Sequence, residues 1–237
     1  MFKNRFLLKF PREYLMIAVL TISSGSAMLL LCLRIVFTSE LTYIFLAWNL
    51  FLAWIPFLCA EKMERSFNRK RIKFSILLLL IWLFFFPNSP YIITDLIHLK
   101  ARQNCPLWFD SILILSFAWN GLMVGFISLM KIQALLKAGT GYVLSWVIAI
   151  SLLVLSSFGV YLGRFLRFNS WDVMFQPYTI FSEITDRLFH PFHHLQTMAV
   201  TIVFSFFLVS AYSVINVIGM KGDAPGDKII RPSSHFV

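Results

Sequence analysis

The chain has 237 residues, 59% of them hydrophobic and 14% charged, with a formal net charge of +10. Soluble domains run nearer half apolar and a quarter charged, so the mean hydropathy of +0.77 excludes an ordinary water-soluble globule. The basic residues lie between apolar runs rather than on one folded face, which argues against a nucleic-acid partner.

Apolar runs of about 20 residues cross roughly 30 Å of hydrocarbon as helices. In lipid only helices and closed barrels satisfy every backbone group, and "FSILLLLIWLFFF" lacks the alternation of a barrel strand. The expected fold is therefore all-α: a polytopic transmembrane helical bundle of about six spans, formed by residues 1–220 as one domain. Residues 221–237 are expected to be a short flexible cytoplasmic tail.

The first span is expected at 14–37. Its basic start and the small residues of "SSGSA" imitate a signal peptide, but "MLLLCLRIVF" prolongs the apolar run, so a retained span is expected. The second, at 41–60, holds Asn49 inside "LAWNLFLAWIP". The third, at 74–99, is interrupted by "PNSP" at 87–90, at a depth where the chain is still crossing apolar material. Pro90 disfavours helix at Ser89, and Pro87 does so at Phe86. Asn88 or Ser89 is then expected to cap a new helix. Non-helical backbone at such depth is buried in protein or lines a wet cavity, as at the binding sites of transporters. Beyond the break, Tyr91, Asp95 and His98 fall at i, i+4 and i+7, on one helical face. Asp95 and His98 suit an acid/base pair, two metal ligands, or charges solvated at headgroup level.

The fourth span is expected at 108–130. Asp110 opens it, and Ser116 and Asn120 share a face further in. The fifth, at 141–164, carries Ser156, Gly159 and Gly163 in one stripe that leads to Arg167. Gly121, Gly125, Gly159 and Gly163 suit close helix packing. At the end of the fifth span stands "YLGRFLRFNSWD", with Tyr161, Arg164, Arg167, Asn169 and Asp172. Two arginines near one another suit forked binding of a phosphate or carboxylate. Snorkelling to headgroups, or pairing with Asp172, Asp95 or Asp110, is the structural alternative. "NSWD" also fits a helix cap with an acidic first turn.

In "PYTIFSEITDRLF", Tyr178, Phe181, Ile184 and Leu188 recur at helical spacing, and Ser182, Glu183, Asp186 and Arg187 lie away from them. A short helix lying in the membrane interface is expected before the last span, 196–220. "HPFHH" holds His190, His193 and His194, but without a fixed carboxylate partner a metal there is not favoured. The cysteines Cys32, Cys59 and Cys105 lie apart, with no CxxC, so neither a zinc site nor a disulfide framework is expected. No cofactor is expected.

Lys and Arg counts orient the chain. Fifteen fall in the N-terminus, the second and fourth connections and the tail, and six on the other side. Both termini and "EKMERSFNRKRIK" are expected in the cytoplasm.

Together, "AWNLFLAWIP", "FFPNSPYIITDLIHL", "WFD…SFAWNG" and "YLGRFLRFNSWDV" resemble a bacterial membrane family catalogued only as domain of unknown function 1361. The resemblance runs from about the second span to the long connection before the last. It implies a bacterial integral membrane protein, in the inner membrane, and no particular activity. Its pattern covers Asn49, Pro87, Asn88, Pro90, Tyr91, Thr94, Asp95, Asp110, Asn120, Tyr161, Arg164, Arg167, Asn169, Ser170 and Asp172. Phe109 stands where the family commonly has Tyr, so a phenol is not required there.

These residues are expected to meet in one outward-facing polar pocket walled by aromatics such as Trp48, Trp108 and Trp171. The first functional reading is binding of an anionic lipid head group or lipid-linked saccharide, with Arg164 and Arg167 on the anion and Asp95, His98 or Asp172 available for proton transfer. Asn49, Asn88, Tyr91, Asp110, Asn120, Tyr161 and Asn169 complete the binding set. A small secondary transporter, and a non-catalytic assembly partner of another membrane protein in an envelope complex, are the other readings. No GxSxG elbow, HExxH zinc site or P-loop occurs.

Overall fold

The computed structural model describes residues 12–102, 104–168, 172–175 and 177–221. Asn169, the "NSW" of the proposed cap and the tail from 222 onward lie outside the described residues.

The described residues are mostly helical, and among them are six helices long and apolar enough to cross a membrane. They are α1 (Arg12–Thr38), α2 (Phe45–Asn68), a third span that begins with α3 (Ile72–Phe85), α5 (Leu107–Thr140), α6 (Tyr142–Phe165) and α9 (Leu195–Lys221). The third span continues through a single turn, α4 (Asn88–Tyr91), into a 3-10 helix (Ile92–His98). The connection from α6 to α9 contains α7 (Asp172–Phe175), α8 (Pro177–Phe189) and the 3-10 turn Pro191–His193. The fourth span reaches ten residues beyond its expected end, to Thr140, and stops at Gly141, whose φ of 84° lies in the left-handed region.

Helix α5 is the centre of the bundle: 67% of its most apolar window is buried, against 11% for α9. Helices α1, α2 and α6, together with the second half of the third span, pack around it, and α9 packs on α6. One core cluster joins Trp82, Phe86, Phe126, Leu129, Leu153 and Tyr212. A second joins Leu31, Tyr43, Leu46, Ile92, Leu113 and Phe117. Large apolar side chains also cover the outside, among them Val36, Leu80, Val143 and Phe206, as a lipid-facing surface requires.

The interruption of the third span is a tightening rather than an opening. Pro87 stays helical (φ −60°, ψ −22°), and the turns after Tyr91 are wound as 3-10 helix. The expected cap is not made: the position before α4 is Pro87, with no side-chain cap. Asn88 Nδ2 instead donates back to the Phe85 carbonyl at 3.0 Å, and Ser89 Oγ to Ala53 O on α2 at 3.2 Å. Pro90 brings no N–H to the Phe86 carbonyl; Ser89 N donates to it instead at 3.1 Å, and the Asn88 amide takes up the Phe85 carbonyl that Ser89 N would otherwise meet.

Glycines let this segment sink into the bundle. A Cβ on Gly121 would meet the Ser89 carbonyl oxygen at 2.7 Å, and one on Gly125 would meet Ser89 Cβ at 2.6 Å. On α6, a Cβ on Gly159 would lie 3.0 Å from Pro87 and one on Gly163 3.0 Å from Tyr91. The broken segment is thus clamped between α5 and α6.

Candidate functional site

The 3-10 helix carries Asp95 and His98, and α6 brings Arg164 against both. Asp95 is buried at 1% exposure, forms a salt bridge with Arg164 Nη2, and accepts from Asn49 Nδ2 of α2 at 2.8 Å. Arg164 Nε donates to Thr94 Oγ1 at 2.7 Å, and its Nη1 lies 2.8 Å from His98 Nε2. Its guanidinium sits 4.4 Å over the Tyr91 ring. A guanidinium brings only donors, so His98 Nε2 is the acceptor in this contact. Asp95 and His98 are thereby joined through Arg164 rather than to each other. His98 is exposed overall and packs edge-on against Phe45, 5.3 Å between centroids.

Asp110 and Asn120 do not join this group. Arg34 Nε donates to Asp110 Oδ1 at 2.9 Å, with both side chains buried. The Arg34 guanidinium stacks 4.6 Å from the Tyr43 ring and also reaches the Glu40 carbonyl at 3.3 Å. Cys105 Sγ donates to Asp110 Oδ1 at 3.3 Å; burial and Asp110 both push its thiol pKa up, which keeps it a donor. Tyr43 ties the two groups together, donating to the His98 carbonyl at 3.4 Å. Asn120 lies deeper, where its Nδ2 donates to Ser116 O at 2.8 Å and its Oδ1 accepts from Ser24 Oγ at 3.3 Å. The single pocket expected from the motifs is thus several separate polar knots.

Tyr161 is buried and stacks on Phe165, 5.3 Å between centroids. Arg167 has φ 60°, is exposed, and has no side-chain partner among the described residues. Asp172 is half-buried and partnered at the start of α7. Asp186 bridges His190 Nδ1 at 3.1 Å and His194 Nε2 at 2.7 Å, and the hydrogen bond from His194, then that from His190, hold its carboxyl below the usual range. His193 stacks with His190, 5.7 Å between centroids. Among the described residues, no three His, Cys, Asp or Glu side chains are arranged so that they could hold a metal ion.

Helix α8, expected to lie in the membrane interface, differs from the face pattern read in its sequence. Tyr178, Phe181 and Phe189 are exposed, while Ile180 is buried. Arg187, expected on the polar side, turns inward to 8% side-chain exposure, bound to Glu183 and lying 5.9 Å from the Tyr161 ring.

A model of the family described as protein of unknown function DUF1361 matches residues 48–211, more than half of the chain. The chain belongs to this family. No curated protein and no solved structure matches it. The family match spans Asn49, Asp95, His98, Asp110 and Arg164 and leaves out α1, which supplies Arg34.

Arg34, Glu40, Tyr43, Cys105 and Ser24 are the site neighbours that motif reading passed over. A lone arginine within "MLLLCLRIVF" was the available signal, since an ionisable group inside a span needs a buried partner. A similar polar knot crosses the far end of the bundle: Lys131 pairs with Glu61 at 2.7 Å and Glu64 at 3.0 Å, and Gln133 accepts from Tyr212 and from Asn216 at 3.2 Å.

Proposed function

We propose that this protein binds an anionic membrane lipid, with a phosphate-bearing head group at Arg164 and Arg167 and an acyl chain in the groove beside them. The carrying observation is that groove. It measures about 460 Å³, is walled by Ile93, Ile97, Val200, Val203 and Phe204, and ends at Thr94 and Arg164. An apolar trough that opens to lipid and ends at a guanidinium has the chemistry of a lipid site.

Arg164 commits donors to Thr94, His98 and Asp95, and guanidinium has five N–H groups, so donors remain for a phosphate oxygen. Asp95 neutralises most of the charge of Arg164. Arg167, exposed and unpaired among the described residues, supplies the net positive charge. A lipid-linked saccharide joined through phosphate offers the same recognition chemistry. Binding is favoured over proton transfer because both Asp95 oxygens are already engaged, by Asn49 and Arg164.

The test is a thermal melt of the purified protein in detergent supplemented with phosphatidylglycerol or with phosphatidylcholine. Phosphatidylglycerol is expected to raise the melting temperature more, and Arg167→Gln to remove that difference without changing the melt in detergent alone. Equal stabilisation of the wild type by the two lipids would sink the reading.

A further inference from the structure

The turn between α2 and α3 breaks a local rule. Helix α2 ends in a tight backbone wrap, in which Lys70 N donates to the Phe67 carbonyl at 2.9 Å and Arg71 N to the Ser66 carbonyl at 3.1 Å. Such a helix ending puts one residue in the left-handed region, where glycine is the usual choice. Lys70 stands there instead, at φ 56°. The turn is also braced from within. Ser66 and Ser75 are buried, and their hydroxyls donate to the Arg71 carbonyl at 3.3 and 3.2 Å.

Cations stand out from this frame. Arg69, Lys70, Arg71 and Lys73 are exposed, and none has an acidic partner among the described residues. The acidic residues of α2, Glu61 and Glu64, are both held by Lys131 of α5, and α3 contains none. Topology asks only for positive charge on one side of the membrane, which Arg69, Arg71 and Lys73 already supply. It does not ask for a lysine in a glycine position.

The turn stays close to the bilayer. Three residues join the two helices, and the large apolar side chains flanking them are exposed: Phe67 by 53%, Ile72 by 64% and Phe74 by 45%. Apolar side chains beside cations at the end of a span settle at the edge of the hydrocarbon, which sets the cations at the level of lipid phosphates.

We propose that the α2–α3 turn is a binding surface for anionic lipid headgroups, in which Lys70 is kept in the left-handed position for its charge. The partner is the headgroup layer rather than a soluble acidic protein, because a three-residue turn flanked by exposed apolar side chains does not project beyond that layer. This surface lies at the opposite end of the bundle from Arg164 and does not depend on the lipid site there.

A fluorophore on Ile72→Cys, in a full-length chain lacking Cys32, Cys59 and Cys105, reports the lipids beside the turn. The protein is reconstituted in phosphatidylcholine nanodiscs that contain spin-labelled phosphatidylglycerol or spin-labelled phosphatidylcholine. Phosphatidylglycerol is expected to quench more strongly, and high salt to remove the difference by screening. Lys70→Gly is expected to cut this advantage by up to about fivefold, the share of one cation at a membrane surface. Its melt in detergent is expected to be unchanged or raised, since glycine suits φ 56°. Replacing Arg69, Lys70, Arg71 and Lys73 together by Gln is expected to abolish the advantage. Arg167→Gln is expected to leave it intact, whether or not the Arg164 groove binds lipid. Equal quenching by the two lipids in the wild-type turn overturns the proposal, as does an advantage that survives the fourfold Gln variant. If that variant does not fold, Lys70→Gly decides, and an undiminished advantage there overturns it.

Discussion

Arg164 is held on every side, by Thr94, His98, Asp95 and the face of Tyr91. Its partner Asp95 is buried, so that carboxylate has no water to fall back on. Removing one member of such a pair strands the other, at a cost of about 3–5 kcal/mol, whereas removing both is far milder. Asp95→Asn and Arg164→Gln are each expected to lower the melting temperature in detergent sharply, and the double variant to recover part of the loss. Additive losses in the double variant would mean that the two side chains are not coupled.

The broken third span is the element that assembles this group. Helix α3 ends just before Pro87, Pro90 lies within the single turn α4, and the 3-10 winding after Tyr91 brings Asp95 to Asn49 on one side and Arg164 on the other. The segment reaches those partners only because glycines face it. Gly121→Ala places a methyl 2.7 Å from a backbone oxygen that has little room to move, and overpacking of this kind costs typically about 1–3 kcal/mol. Gly25 has nothing within 4 Å of a built Cβ, so Gly25→Ala is expected to leave stability unchanged or raise it by up to about 1 kcal/mol through helix propensity. Melts of the two variants side by side separate the contact from a general effect of replacing glycine. A Gly121→Ala protein as stable as wild type would show that α4 is not clamped.

Across the molecule, the fifteen-to-six bias of Lys and Arg leads to the expectation that Arg69 lies in the cytoplasm and Lys100 outside. Arg34 and Arg164, both counted on the minority side, are held in ion pairs with Asp110 and Asp95. Cysteines introduced at 69 and at 100, in a chain lacking Cys32, Cys59 and Cys105, are expected to be protected and labelled, respectively, by an impermeant thiol reagent on intact cells. Labelling at 69 reverses the orientation. Native Cys105 is a poor reporter, being 7% exposed, with its thiol pKa raised by burial and by Asp110.

The number of spans, their approximate places and the interruption at 87–90 were legible in the chain itself. Apolar length and proline are local properties, and in lipid they leave the backbone few alternatives. The packing role of Gly121, Gly125, Gly159 and Gly163 was legible for the same reason. Partner choice was not. Asp95, Asp110, Arg164 and Arg34 come from spans far apart in the chain, and their pairing as Asp95 with Arg164 and Asp110 with Arg34 depends on how α1 and α6 pack around α5. The inward turn of Arg187 was hidden likewise. An isolated amphipathic helix presents its arginine to water, and only the docking of α8 over Tyr161 buries it. Side-chain charge is written in the sequence, whereas the counter-charge that allows it to be buried is supplied by whichever helix the fold brings alongside.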